Sequence, residues 1–557
     1  MKINLNGKKI NVKEGKTIFE ICRDNKIIIP TLCRQESSKP EARCRVCVVE
    51  MNEKLVTSCS TYPTEGCLII THSKKAKDAR RMNVELVMQG HQKEGKILST
   101  TKELKKVLKE VGLTETRFTK EHKYELMKGN CVIFDNNKCI KCGRCINTCA
   151  DIQGINAIEF SGRGYNSHVS AYSEKSLTNV SCIKCGQCIM NCPVAAINEK
   201  NEVKKIVDVL KKKDKHIIIQ IAPSVRSSIG EEFGQKPGLV VTDKLVAALK
   251  KCGFDKVYDI DLGADFTIME EATEFLNRIK NNGPFPMITS CCPAWVLLAE
   301  SFYPNLIKHL SSAKSPTEML SSVTKTYYAE KYGINKKDII IVASMPCTAK
   351  KFEAKRKELK NNVDYVLTTR ETAQLIKHFN IDLMKIKGRD FDPALGISTG
   401  AGDIFGATGG VMEAALRTAY ELGTGKTLTN PNMRMVRGME GIKKGEIELN
   451  GKKYKLAVVS GGRNAQELLK DYKDYHFIEV MACPGGCVGG GGQPIPSTLE
   501  IVRKRAEGLY NIDAKKTLRK SHENPILKKV YKEYMGTPGG KKAKRLLHTT
   551  FQKRSEF

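Results

Sequence analysis

Five cysteines in three separated stretches of the C-terminal half could bind metal. They lie in "TSCCPAW" (289–295), "MPCTAKKFE" (345–353) and "FIEVMACPGGCVGGGGQP" (477–494). The last stretch sets Cys483 and Cys487 four apart and removes almost every side chain around them. Glycine lets backbone come close to a bulky group, and thiolates make that group a metal centre. Upstream, "CIKCGRCINTC" gives Cys139, Cys142, Cys145 and Cys149, and "CIKCGQCIMNCP" gives Cys182, Cys185, Cys188 and Cys192. Both runs read C-x₂-C-x₂-C-x₃-C, a spacing in which the fourth cysteine of each run ligates the other run's [4Fe–4S] cluster. Cys139, Cys142, Cys145 and Cys192 are therefore expected to hold one cluster, and Cys182, Cys185, Cys188 and Cys149 the second. Near the N-terminus, Cys33, Cys44, Cys47 and Cys59 suit a [2Fe–2S] site, although the first gap is long; zinc is the competing use. Of the 21 cysteines, Cys22, Cys67, Cys131 and Cys252 fit no motif and read as small buried hydrophobes.

The elements that must position these thiols divide the 557 residues into several units. Residues 1–75 read as short strands and loops, opening with a hairpin around Asn6-Gly7. Residues 76–130 are lysine-rich with a helical pattern, in which Leu104, Val107, Leu108 and Val111 share one face. Residues 131–208 carry the tandem cysteine runs, and 209–557 turn to α/β texture. There "HIIIQIAPSV" and "KDIIIVASMP" read as buried strands, and "MEEATEFLNRIK" and "GGVMEAALRTAYELG" as helices. "GTGKT" fails as a phosphate loop because position 420 is Tyr where glycine is required. A hydrophobic content of 41% is globular, and no apolar run reaches the ~18–20 residues of a membrane span. Without a secretory signal after Met1, a cytoplasmic protein is expected, in which cysteines serve as ligands rather than disulfides. The net charge of +32 comes from scattered lysines with few aromatics, which suits a solvated surface or steering of an acidic protein partner and not nucleic-acid binding.

Together the three C-terminal motifs resemble those of the iron-only, or [FeFe], hydrogenases, of the forms TSCCPxW, MPCxxKxxE and ExMACxxGCxxGGGQP. They occur in order, and the resemblance extends to the front cluster modules and to "RKSHENP" in the tail. It implies a multidomain α/β and α+β chain, with a β-grasp [2Fe–2S] ferredoxin module, a 2×[4Fe–4S] ferredoxin-like module and a large α/β catalytic domain. It also implies the H-cluster, a [4Fe–4S] cluster joined through one cysteine to a two-iron unit with CO, cyanide and an amine-bearing dithiolate. By motif, its ligands would be Cys292, Cys347, Cys483 and Cys487, with Cys487 shared. Cys291 would exchange protons with the bridging amine, along a relay of Glu271, Ser311, Glu274 and Arg278. Without the resemblance, Glu271, Glu274 and Arg278, at i, i+3 and i+7 of one helix, would read as a solvated charge stripe. Lys350, with Ser224 beside Pro223 and Ala222, would bind the cyanides, and Met345, Met481 and Phe405 would supply the apolar lining. Implied partners are ferredoxin or a similar acidic carrier and the enzymes that mature the diiron centre. Other readings of the family likeness are a hydrogen sensor, a subunit serving a flavin partner, and an iron–sulfur assembly homologue.

The chain departs from the family pattern in three places. His91 stands where some members begin an additional His/Cys₃ cluster, but no cysteine follows and Gly95 is among the residues present instead. That cluster is expected to be missing and His91 to be an ordinary polar residue. Asp403 replaces a usual Ala, and Thr317 a common Gln. A carboxylate so near an anionic cofactor is expected either to hold a proton or to need a cation.

Overall fold

The structure, a computed structural model, describes residues 1–35, 40–119, 123–174, 176–360 and 362–554. The chain forms two compact units, one made of Met1–Ile152, Asn156–Val180 and Gln187–Asn198, the other of Gln153–Ile155, Ser181–Gly186 and Glu199–Phe557.

In the first unit, Lys2–Leu5 pairs antiparallel with Lys8–Asn11 through a turn whose Asn6 and Gly7 both take positive φ, 52° and 87°. Lys2–Leu5 also runs parallel to Leu68–Ile70, which pairs with the Val48–Met51/Lys54–Thr57 hairpin. The helix Ile18–Asp24, closed by a Thr17/Glu20 capping box, packs Ile18 and Ile21 against Ile3, Leu5, Val49 and Ile69. A mixed five-stranded sheet crossed by one helix is the expected β-grasp arrangement. Beyond it, helices Lys74–Val87 and Lys102–Val111 bury Val84, Met88, Leu104, Val107 and Leu108 together. Between these helices lies a small hairpin, Gln92–Lys93 with Lys96–Ile97, turned by Glu94 and Gly95 at positive φ. Gly95 is thus the turn residue of a hairpin that directly follows His91.

The second unit holds two sheets. One is parallel throughout, in the order Lys256–Asp259, His216–Ile221, Ile339–Met345, Tyr365–Thr368. The other orders Met287–Ile288, Phe477–Met481, Lys452–Ser460 and Ile442–Leu449, with only the last strand antiparallel. The helix Ile260–Lys280 is buried around most of its circumference. Ile260, Leu262 and Phe266 enter one core, whereas Ala264, Ile268, Ala272 and Phe275 enter the other. No helix among the described residues is long and apolar enough to cross a membrane.

Candidate functional site

Ligands of α/β sheets gather beyond the carboxyl ends of parallel strands, where backbone emerges unpaired. Both sheets of the second unit obey this at one cavity of about 60 Å³. From the first sheet come Ala222, Pro223 and Ser224 after His216–Ile221, Met345 at the end of Ile339–Met345, and Asp261 after Lys256–Asp259. From the second come Cys291 and Cys292 after Met287–Ile288, and Met481 and Cys487 at and after Phe477–Met481. Lys350, Phe405 and Thr317 also line the wall. All seven residues expected to contact a cofactor therefore line the cavity.

Cys292, Cys347 and Cys487 lie close enough for their charges to oppose one another. Burial first and this repulsion second push the Cys347 thiol up to about 12 and raise Cys487; burial also raises Cys292. Thiols this buried and crowded are tenable as thiolates only around a cation, which is the fit expected of a metal cluster. Cys483 is buried in the same loop as Cys487. The wall also carries polar atoms suited to a bound group: Ser224 Oγ and Asp261 Oδ1 are buried and lack a hydrogen-bond partner among the described residues. Lys350 Nζ lies 2.6 Å from the buried Glu353 carboxylate and 3.4 Å from the Cys291 carbonyl. Burial alone would lower Lys350, but Glu353 and nearby thiols hold it above the ordinary lysine value, so it stays a cation.

Two glycines in the last motif are dictated by contact. Gly486 has φ +91°, and a Cβ there would stand 2.6 Å from Thr408 N. A Cβ on Gly491 would stand 2.1 Å from Cys185 O, so the loop of the second tandem run rests directly on the Cys487 loop. Thr348 Oγ1 donates to Lys184 O at 2.7 Å beside this contact.

Cys291, lining the cavity, is raised well above an ordinary thiol, by burial first and then by Glu271. Glu271 is fully buried, and burial pushes its carboxyl up to about 8 against the opposing effect of the Ser311 hydroxyl. Ser311 Oγ donates to Glu274 Oε2 at 3.4 Å, and Arg278 Nη2 to Glu274 Oε1 at 2.6 Å. Arg278 is further fixed by the carbonyls of Pro284, His309 and Leu310. The solvated-stripe reading of this helix face fails because Ile260–Lys280 is packed on both sides. Past Glu274, a cavity of about 270 Å³ is lined by Arg278, Ser312, Lys544 and His548.

In the first unit the thiol of Cys33 meets those of Cys44 and Cys59, and Cys59 meets Cys47, uniting the four expected [2Fe–2S] ligands. Cys145 senses Cys142, Cys139 and Cys192, which brings the crossed ligand Cys192 to the first tandem run. The N–H groups of Lys141, Ala157 and Ala196 each approach a sulfur, of Cys139, Cys149 and Cys192 respectively, at 3.3 Å. Such donors favour the thiolate. Cys149 and Cys188 belong to the first unit, Cys182 and Cys185 to the second. Cys22, Cys67, Cys131 and Cys252 are all buried. His91, expected as an ordinary polar residue, is 3% exposed, with Nε2 2.6 Å from the carbonyl of Lys138, next to Cys139.

Several residues of the site carried no signal of their role. Gln493 donates to the carbonyls of Ser224 and Cys487 and accepts from Ser228 and Thr369, tying both walls together. Glu479 receives the N–H groups of Gly409 and Met412, at the start of helix Gly410–Thr424. Ser312 donates to Glu274 through both N and Oγ. Asp403 does not line the cavity; it pairs with Lys516 at 2.6 Å and Arg226 at 3.2 Å, so the cation it was expected to need is present twice. Asp261 and Arg226 could have been suspected only from the fold, because nothing in spacing joins them.

Comparison with known proteins agrees with this geometry. Residues 215–491 match the family described as iron only hydrogenase large subunit, C-terminal domain, and 499–554 match the iron hydrogenase small subunit. Residues 1–74 match a 2Fe-2S iron-sulfur cluster binding domain and 138–196 a 4Fe-4S dicluster domain. The chain belongs to the iron-only hydrogenases, and it joins an H-cluster domain to [2Fe–2S] and [4Fe–4S] domains. It is 43% identical to iron hydrogenase 1 of Clostridium pasteurianum, over 99% of this chain and 100% of that one. Identity to the NADP-reducing hydrogenase subunit HndD of Solidesulfovibrio fructosivorans is 41%, over 100% and 99%. A solved variant of the [FeFe]-hydrogenase HydA1 of Chlamydomonas reinhardtii superposes with a TM-score of 0.57 at 40% identity, over 63% of this chain and 99% of that one.

Proposed function

We propose that this hydrogenase interconverts protons and H₂ with electrons carried by ferredoxin or a similar acidic protein in the cytoplasm. The observation that carries the reading is Cys291: it lines the same cavity as Cys292 and Cys487 and is backed by the buried carboxyl of Glu271. When bound, the H-cluster supplies the chemistry of 2H⁺ + 2e⁻ ⇌ H₂. Cys292, Cys347, Cys483 and Cys487 hold it. Lys350 and Ser224 offer donors to its cyanides, and Met345, Met481 and Phe405 keep the wall apolar beside Pro223 and Ala222.

A thiol at Cys291 stays protonated until a base asks for the proton, as its surroundings favour the neutral form. Glu271, with an acidity near neutrality, can refill it and be refilled in turn. Ser311 and Glu274 pass protons outward, and Arg278 holds Glu274 in place. Cys33, Cys44, Cys47 and Cys59 would hold one cluster and the two tandem cysteine runs two more, and these would supply electron transfer toward the catalytic site. The contact of Gly491 with Cys185 supports a short last step into the catalytic site. The name of the HndD relative supports a second reading of electron supply, a subunit exchanging electrons with a nicotinamide-linked partner.

The test is anaerobic H₂ evolution with reduced viologen after loading with a synthetic diiron cofactor, alongside Cys291→Ala. Activity in the parent that falls by two orders of magnitude or more in the variant is expected. An inactive parent with CO and cyanide bands in the infrared would point to a sensor, and failure to take up the cofactor to an assembly role.

A further inference from the structure

Five charged side chains meet behind the cavity. Arg226 reaches Asp259 at 3.2 Å, Asp403 at 3.2 Å and Asp261 in a closer contact, and Lys516 reaches Asp403 at 2.6 Å. Arg226 and the three aspartates are at most 2% exposed. Three carboxylates against two cations leave one negative charge in excess. A net charge in such a place is costly, so the cluster is expected to keep one proton.

The ion pairs and hydrogen bonds together indicate which carboxyl keeps it. Asp403 makes no hydrogen bond among the described residues, but each of its oxygens is paired with a cation, Oδ1 with Arg226 and Oδ2 with Lys516. Asp259 accepts from Arg226, from Ser398 Oγ at 2.8 Å and from the N–H of Asp261 at 3.1 Å. Asp261 shares only Arg226, through Oδ2, while its Oδ1 has no hydrogen-bond partner among the described residues. A proton on Oδ1 leaves the bond from Arg226 to Oδ2 intact. Asp261 alone of the five lines the cavity, in company with Cys291, Cys487 and Lys350.

We propose that Asp261 is the protonated member of this cluster and offers its O–H into the cavity as a donor to an anionic ligand of the group bound there. The inference rests on reading the cavity as the seat of the diiron unit. Burial, followed by the neighbouring Asp259 and Asp403, also holds the Asp261 carboxyl well above the usual carboxylate range, against the pull of Arg226. A carboxylic acid kept neutral by its surroundings is a stronger donor than a hydroxyl and is suited to stabilising an anion.

Two variants test this. Asp261→Asn keeps an acceptor for Arg226 and a donor for the cavity; Asp261→Leu removes both. Infrared difference spectra of D261N against the parent, both without diiron cofactor, should show the loss of one carboxylic C=O absorption that persists through neutral pH, in addition to the absorption that Glu271 gives in both proteins. After cofactor loading, D261N should keep the parent's CO and cyanide stretching bands, whereas D261L should shift at least one cyanide band. If D261N loses no carboxylic absorption, or the one it loses titrates away below neutrality in the parent, Asp261 is ionised and the proposal falls. Unshifted cyanide bands in D261L would overturn the donor role. Should D261L fail to fold, the absorption lost in D261N still decides the protonation. A parent that never acquires CO and cyanide bands would instead refute the reading of the cavity, which separates the two failures.

Discussion

Replacing Glu271 by Gln removes the proton carrier proposed above and also a titration, and the second effect can be sized. The Glu271 carboxyl is pushed up to about 8 in the folded protein from 4.5. An acid whose folded value is raised contributes fully below its unfolded value, and that contribution is lost as pH rises toward the folded one. Between these limits the native state binds a proton that the unfolded chain has released, so each pH unit costs about 1.4 kcal/mol. From pH 5 to pH 7 the parent should therefore lose about 3 kcal/mol relative to Glu271→Gln. Unfolding entropy of about 2.1 cal/mol/K per residue over the roughly 350 residues of the catalytic half makes this about 4 °C in Tm. The assay is calorimetry of the chain without diiron cofactor across this pH range, reading the variant-minus-parent difference, paired with H₂ evolution by the loaded proteins. The gap should widen by about 4 °C in the variant's favour while its activity is down about 100-fold or more throughout. A gap independent of pH would show that Glu271 is ionised in the native state. Parent-like activity would remove it from the proton route.

The pairing of Asp403 predicts that Lys516→Met costs about 3 kcal/mol, read from thermal unfolding, and that adding Asp403→Ala restores most of it, because the excess negative charge left beside Arg226 is then gone. At Gly486 the positive φ and the close Thr408 backbone predict that Gly486→Ala loses the four irons of the catalytic cluster, with the visible absorption of the ferredoxin-type clusters retained. Iron quantitation of the loaded protein should give about 16 atoms, and His91→Ala should not change the number.

Cysteine spacing made the metal sites legible because ligand geometry is written locally: a turn that brings three thiols to one cluster has few lengths. The strands His216–Ile221 and Ile339–Met345 were likewise carried by short apolar runs, and the helices around Leu104 and Glu271 by short-range periodicity. The hairpin at Gln92–Ile97 was not, since its strands are two residues long and its Glu94-Gly95 turn lies in a lysine-rich stretch. Nor could periodicity distinguish a solvated charge stripe from the buried face that Glu271 and Arg278 occupy, as both repeat at i, i+3 and i+7. Asp261, Arg226, Asp403 and Lys516 come from four separate elements, and only the folded packing makes them one cluster.

The helix Ile260–Lys280 is shared by two hydrophobic cores, and this affects how the protein fluctuates. Local opening is cheapest where an element can detach from a single neighbour. This helix cannot leave one core without uncovering the other, so its amides should be among the last to exchange with solvent deuterium. Protons bound for H₂ would then travel along side chains mounted on the part of the backbone that moves least, with distances between successive carriers held steady through turnover.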